Sequence, residues 1–316
     1  MKRVLITGAG GFVGTHLIHA LKATGDAEIF AAVYQATSDI TSLIEEDHII
    51  PGDLTDYNYA EKLVAISRPD VIYHLAALSV VHNSVGQAVS IMNSNTTLSY
   101  NLLEAVRLSA PKARFIAISS GNVYGAVQDT TYPLSEDTPI RPLNPYAVSK
   151  VTQEMLALEY FLAYGLDVVI LRPFNHTGVG QTTDFVIPKL SKQFAEIEQG
   201  GVDSIIEVGN LATVRDFTAV EDMVKAYILA ADKGIAGEIY NIGSGVGHTI
   251  KEILDILQSL TPAKVEIKVN EDFVRTSDVP VLIADASKFR QATGWEPRIT
   301  LSQTISAILE NYRLTK

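Results

Sequence analysis

Tyr146 and Lys150 stand four residues apart in the run Tyr146-Ala147-Val148-Ser149-Lys150. Val148, Val151, Met155, Leu158 and Leu162 step by threes and fours through it, which predicts a helix over 146–164. Positions i and i+4 share a helix face, so a phenol and an ammonium are set side by side. The cation is expected to stabilise phenolate and lower the tyrosine pKa from about 10 towards neutrality. Such a tyrosine suits proton exchange with an alcohol–ketone pair. Tyr-x-x-x-Lys is also what an ordinary surface pair looks like, so its weight depends on what accompanies it. Ser119-Ser120 closes an apolar run earlier in the chain. A hydroxyl there, at the carboxyl edge of a sheet, can hydrogen-bond the same substrate oxygen.

A second group of residues points to a redox cofactor. Gly8-Ala9-Gly10-Gly11-Phe12-Val13-Gly14 directly follows the apolar run 4–7. Glycines at 8, 11 and 14 permit a tight strand-to-helix turn and close approach to a pyrophosphate, which helix N–H groups then meet. The spacing differs from GxGxxG, while the strand–turn–helix context is that of a dinucleotide site. An acidic residue ending the second strand would take the ribose 2′-OH of NAD, and an arginine the 2′-phosphate of NADP. Val33-Tyr34-Gln35 offers neither, so NADH and NADPH both stay open, and a steep preference would need a distant residue such as Arg3 or Lys22. Asp53, in Gly52-Asp53-Leu54, has two readings: acceptor for the adenine amine, or cap of the helix that follows.

The elements that must position these groups are legible as alternating patterns. Residues 4–7, 28–33, 71–75, 115–119 and 168–172 are short apolar runs of the kind buried on both faces of a parallel sheet. Helix-length segments such as 14–24 and 95–108 separate them, which predicts a doubly wound α/β sheet. Beyond Leu171 the pattern loosens, with breaks at 178–180, 200–201 and 261–262, and residues 240–242 predict a strand returning to the first sheet. The expected division is a dinucleotide-binding domain over 1–171, with a late strand near 240–243, and a smaller interleaved substrate lobe over 172–316.

Composition sets outer bounds. A chain of 316 residues with 47% hydrophobic and 19% charged residues is globular in character. Its 25 basic against 36 acidic side chains give a net charge of -11, which disfavours nucleic acid and anionic membranes as partners. A local cationic pocket for a small phosphorylated ligand remains compatible with that charge. The absence of cysteine removes disulfides and thiolate chemistry, and no His/Asp/Glu spacing suggests a metal site. The N-terminus reads as a strand entering a glycine turn, not as a signal peptide, and no run of about 18 apolar residues occurs. A cytoplasmic protein is the expectation.

With TGAGGFVG, GDLTD, HLAA (74–77), ISSGNVYG (118–125), YAVSK and RPFN (172–175), the chain resembles the extended short-chain dehydrogenase/reductase superfamily over essentially its whole length. The resemblance implies Tyr146 as acid/base and Lys150 as the cation that lowers its pKa and holds the nicotinamide ribose. It further implies that Ser120 orients the substrate hydroxyl and that Asn95 supports the site, with Leu98 standing where a glycine is common. Cofactor contacts are implied at Gly8, Gly11, Phe12, Val13 and Gly14. Further contacts are implied at Asp53, Leu54, Leu75, Ala76 and Ala77, beside Tyr146 and Lys150.

Residues 174–178, 209–211 and 215–217 resemble the branch of GDP-mannose dehydratases and GDP-6-deoxymannose reductases, and 275–280 with 293–295 resemble its reductase side. That branch implies a GDP-sugar substrate held by Asn122, Asn175, Val186 and Lys189, with Asn210, Arg215, Arg275 and Asp278. Arg215 and Arg275 could each fork onto a diphosphate, or be surface ion pairs. His176 has a substrate and a packing reading, His74 reads as strand filler, and His248 as a turn residue. The expected reaction is NAD(P)H-dependent reduction of the C4 ketone of GDP-4-keto-6-deoxy-mannose to GDP-6-deoxy-mannose. The talo epimer and 4-epimerisation are alternatives. A 4,6-dehydratase is disfavoured because Gly121 and Asn122 stand where dehydratases carry carboxylates, and a fucose-type epimerase because it uses a cysteine. A dinucleotide-sensing regulator would be expected to carry a broken Ser/Tyr/Lys set, which is complete here. A homodimer is expected through helices 95–108 and 146–164, whose Leu98, Leu102, Met155, Phe161 and Leu162 suggest a second apolar face.

Overall fold

In the computed structural model, which describes residues 1–35, 38–79, 87–125, 127, 132–200, 203–273 and 279–315, the apolar runs become neighbours in one sheet. Its first strands are β1 (Lys2–Thr7), β2 (Ala27–Val33), β3 (Ile49–Pro51), β4 (Val71–His74), β5 (Arg114–Ile118) and β6 (Val168–Pro173). They alternate with α1 (Phe12–Thr24), α2 (Ser38–Leu43), α3 (Tyr57–Ser67), α4 (Ala88–Ser109) and α5 (Pro145–Tyr164). The rest of the chain forms β7 (Asn175–Thr177), α6 (Val186–Glu198), β8 (Ile205–Val208), β9 (Val214–Ala219), α7 (Val220–Lys233) and β10 (Ile239–Ile242). It ends with β11 (Gly247–Thr249), α8 (Ile250–Leu260), β12 (Glu266–Val269), β13 (Val281–Leu282), α9 (Ser287–Thr293) and α10 (Leu301–Leu314).

The large sheet runs β3-β2-β1-β4-β5-β6-β10 with every pairing parallel. One face is covered by α1 and α7, whose Leu17, Ile18 and Met223 pack on Ile6 and Val169. The other is covered by α3, α4 and α5, with Leu63, Leu102 and Tyr160 against Leu5 and Ile170. Burial on both faces is why the strands read as unbroken apolar runs, and the doubly wound α/β fold expected from them is the one observed. Strand order reverses between β1 and β4, and the crevice outside their carboxyl ends is where such sheets take ligands.

The returning strand is β10, beside β6, and α7 and α9 come back with it to the same sheet. The other late elements build a smaller layer. There β7 and β13 pair parallel with β9, β11 pairs antiparallel with it, and β12 pairs with β8. Their shared core of Ile187, Phe194, Leu257 and Ile305 lies under α6, α8 and α10. His248, read as a turn residue, sits in β11 opposite Arg215.

One expectation about helix faces is corrected, and one orientation is added. Of the stripe that announced α5, Val148, Met155 and Leu162 face outward, 39%, 44% and 72% exposed, while Val151 and Leu158 are partly buried against the cores. The inner face carries Tyr146, Ser149, Lys150, Gln153 and Glu154, because this face supplies polar groups to the cleft and to β6. Leu98 and Leu102 do not form a second face; α4 is wedged between α3 and α5, which buries both. Among the described residues no helix is long and apolar enough to cross a membrane.

Candidate active site

The glycine turn is shaped by close approach. Gly8 has φ +67°, and a Cβ there would lie 2.9 Å from the Ala76 backbone nitrogen. One on Gly14 would lie 2.6 Å from the carbonyl oxygens of Gly8 and Ala9. The turn therefore packs flush against the end of β4, and α1 begins at Phe12, with Gly11 as an N-cap that offers no side chain to its first N–H groups. A bare helix start behind a side-chain-free cradle fits the pyrophosphate of a dinucleotide.

The cleft above it encloses about 1180 Å³, larger than the few hundred to about 1,000 Å³ that serve one drug-sized ligand. Gly8, Gly11, Phe12, Val13 and Gly14 form one wall, with Leu75, Ala76 and Ala77 beside them. Ser120 and Asn122 line it from the end of β5 and Tyr146 and Lys150 from the start of α5, while the second lobe supplies the far wall with Asn175, Val186, Lys189, Asn210 and Arg215. Arg275 and Asp278 fall outside the described residues.

Three predicted residues are absent from the lining. The exposed Asp53 carboxylate turns back to accept from the Thr55 N–H at 2.8 Å, and the helix cap is instead Asp56, which accepts from Asn58 N–H. Leu54 points into the core beneath α4. Asn95 is wholly buried, accepting from Leu78 N–H at 2.7 Å and donating to Ser149 Oγ at 2.9 Å. It ties the segment after β4 to α5. Arg3 and Lys22 are likewise engaged elsewhere, on Glu28 and on the Leu43 carbonyl.

Asn144 accepts from Ala147 N–H at 2.8 Å and Pro145 opens α5, so Tyr146 enters the cleft in the helix's first turn. Its phenol is hydrogen-bonded to Ser120, whose Oγ accepts from Asn122 N–H at 3.2 Å. Lys150 Nζ lies 5.8 Å from the Tyr146 ring centre and donates to the Ile118 carbonyl at 2.9 Å. The expectation of a lowered tyrosine pKa is overturned. Burial pushes the Tyr146 phenol up to about 12, offset only in part by Ser120. The ammonium is turned to a carbonyl, and burial pulls Lys150 itself down to about 8 despite Glu154 nearby. The cluster holds a protonated phenol over the cleft, ready to donate.

Glu154 was not singled out from the sequence, although it continues the Tyr146–Lys150 row by four more residues. Arg172 of β6 grips its carboxylate with Nε at 3.0 Å and Nη2 at 2.8 Å, and the Ser119 hydroxyl donates to it as well. Arg172 also donates to the Tyr124 hydroxyl at 2.9 Å, which donates to Asn241 of β10 at 2.7 Å. One buried network thus locks α5 to β6 and β10. His74 is no mere filler: it bridges Thr7 and Ser99 at 2.9 Å each, and burial pushes it down to about 3, so it stays neutral. His176 lines the cleft with its ring stacked on Phe12, and burial lowers its pKa. Among the described residues Glu45, Asp47 and His48 bring one ligand atom each within 4.8 Å of one another, outside the cleft lining.

A Rossmann sheet with this turn and this Ser–Tyr–Lys cluster defines a nicotinamide-dependent oxidoreductase. The family model described as GDP-mannose 4,6 dehydratase matches residues 5–308. The chain is 32% identical over 311 residues to GDP-6-deoxy-D-mannose reductase of Pseudomonas aeruginosa, covering 98% of this chain and 97% of that one. It is 34% identical over 309 residues to GDP-6-deoxy-D-talose 4-dehydrogenase of Aggregatibacter actinomycetemcomitans, covering 98% and 96%. The solved structure of RMD from Pseudomonas aeruginosa complexed with NADPH matches with TM-score 0.88 at 31% identity, covering 99% of each chain. The chain belongs to this GDP-mannose 4,6 dehydratase family of extended short-chain dehydrogenases/reductases. Solved relatives carry NADPH or NAD, and a nicotinamide cofactor is what this cleft takes.

Val33, Tyr34 and Gln35 line the cleft where the ribose 2′ position is read, and all three are uncharged. NADH and NADPH are therefore expected to differ by less than about 100-fold in kcat/KM, the size of one or two missing polar contacts. A ratio above about 10⁴ in steady-state assays would assign the choice to another residue.

Proposed function

We propose that this protein reduces the C4 ketone of GDP-4-keto-6-deoxy-D-mannose to GDP-6-deoxy-D-mannose (GDP-D-rhamnose). The observation that carries this is the Ser120–Tyr146–Lys150 cluster, with Gly121 and Asn122 where elimination would need carboxylates. Bound NAD(P)H supplies the hydride. Ser120 holds the C4 oxygen, Tyr146 donates its proton as charge builds there, and the Lys150 ammonium steadies the phenolate left behind. Lys189 and Arg215, on the far wall, give a diphosphate a cationic berth within an acidic protein. Residues 1–171 with the return strand then serve the cofactor, and 172–316 the sugar nucleotide. Attack on the other face of the ketone would give the talo epimer. The 34% identity to a talose 4-dehydrogenase favours keeping that as the second reading.

Dehydration needs a base for the C5 proton and an acid for the C6 hydroxyl. Gly121 has no room for a side chain, since a Cβ would lie 2.9 Å from the Phe174 ring. Glu136 is engaged with the Asn241 N–H at 2.7 Å, and neither it nor Asp137 lines the cleft. The carboxylates that do line it among the described residues, Asp184, Glu207 and Asp272, belong to the far wall. GDP-mannose supplied with NAD(P)⁺ in deuterated water is therefore expected to gain no deuterium at C5. The keto sugar should instead consume one reduced cofactor per product, whose C4 configuration NMR would read. Deuterium incorporation with loss of the 6-hydroxyl would make the protein a dehydratase.

The setting we assign is a cytoplasmic homodimer. The outward stripe of Val148, Met155 and Leu162 on α5, with Tyr100 of the adjacent α4 49% exposed, is apolar surface that a second copy would cover. Sedimentation at micromolar concentration is expected to give a dimer, and a monomer throughout would reject the assignment.

A further inference from the structure

Two side chains lining the cleft, Thr213 and Tyr227, carry buried polar atoms with no hydrogen-bond partner among the described residues. Tyr227 is the more telling. It is 0% exposed, and its ring packs in the core under the large sheet. A phenylalanine would fill the same space, so packing gives no reason for the hydroxyl. A buried hydroxyl without a partner is unfavourable, and in a native protein it asks for the partner that is missing.

Geometry indicates where that partner comes from. The N-terminus of α7 packs beside the cleft: Val220 stands 2.5 Å from the place of a Cβ on Gly178, a place 3.6 Å from the cleft-lining Phe12, and Gly178 is next to the cleft-lining Thr177. Aromatic side chains on a helix lean back towards its N-terminus. From the second turn of α7, Tyr227 thus leans towards the cleft, whose lining it shares with the glycine turn, Ser120 and Tyr146. The two phenols are within electrostatic reach, since Tyr146, after burial, is the second cause that pushes the Tyr227 pKa up.

With the glycine turn holding the pyrophosphate and Tyr146 beside the reacting carbon, the lining between them would meet the nicotinamide end of a bound cofactor. We propose that Tyr227 is a cofactor-positioning residue whose hydroxyl is hydrogen-bonded to the nicotinamide carboxamide. The amide offers both a donor and an acceptor, and a phenol can answer either. The inference rests on the cofactor reading of the cleft and adds to it a residue that fixes the ring.

The test compares the wild type with Tyr227→Phe by fluorescence titration of NADPH and of 2′-phospho-ADP-ribose, which lacks the nicotinamide. The variant is expected to bind NADPH about five- to twentyfold more weakly, the size of one lost hydrogen bond, and the fragment within twofold of wild type. Its ligand-free melting temperature should be equal or higher, because an unsatisfied hydroxyl has been removed. An NADPH Kd changed by less than threefold, equal weakening of both ligands, or a lower ligand-free melting temperature would overturn the proposal. A wild type that binds neither NADPH nor NADH would instead overturn the cofactor reading, and this inference with it.

Discussion

Replacing Tyr146 with phenylalanine is expected to leave the fold and cofactor binding intact while cutting turnover by at least about 10²-fold. The ring fills the same buried site, and what is lost is one hydroxyl at the meeting point of Ser120 and the cleft. With the phenol held at about 12, it stays protonated through the neutral range and can act as the acid for a developing alkoxide. The conjugate phenolate then needs the Lys150 ammonium, which titrates near 8. Reduction is accordingly expected to hold steady up to about pH 7.5 and to fall as Lys150 loses its proton. In Lys150→Met that limb should vanish along with most of the rate. Near-normal kcat in purified Tyr146→Phe would remove the phenol from the mechanism. An unchanged pH limb in Lys150→Met would remove the ammonium.

The sequence led to side chains that the structure does bring together, and to electrostatics that burial reverses. An i, i+4 spacing fixes which side chains are neighbours on a helix, but not how far water is excluded from them. The stripe of Val148, Met155 and Leu162 announced the helix correctly and suggested nothing of its orientation. Its polar row faces in, because β6 presents Arg172 and the cleft needs donors. Strands buried on both faces were legible from their uninterrupted apolar runs, and the glycine turn from its place after the first of them. The strands around β9 were not. β7, β11 and β13 have three residues or fewer, and they form because β9 lies beside them, which no local pattern records. The same limit applies to Asn95, Asp53 and Leu54. Their positions in the chain resemble a site, and only the packing of α4 and the turn after β3 keeps them out of the cleft.

The network behind α5 carries the other large expected effect. Glu154 and Arg172 have side chains only 0% and 3% exposed, so neither charge has water to fall back on. Arg172→Met would leave the Glu154 carboxylate with the Ser119 hydroxyl as its one side-chain donor among the described residues. Breaking one side of a buried pair costs about 3–5 kcal/mol, which in a domain of this size lowers Tm by roughly 6–10 °C. Removing both charges is a different matter, since an apolar replacement of a buried pair is often near neutral. Glu154→Leu combined with Arg172→Met is therefore expected to regain at least half of the lost stability. Its activity should stay low. Glu154 is the group that raises the Lys150 pKa against burial, so without it more of the ammonium is lost at neutral pH. Thermal melts and initial rates on the two single variants and the double variant separate these effects as a cycle. A double variant as unstable as Arg172→Met would mean that the pair's loss is one of packing and not of an orphaned charge. Full activity in the double variant would show that Lys150 keeps its proton without Glu154.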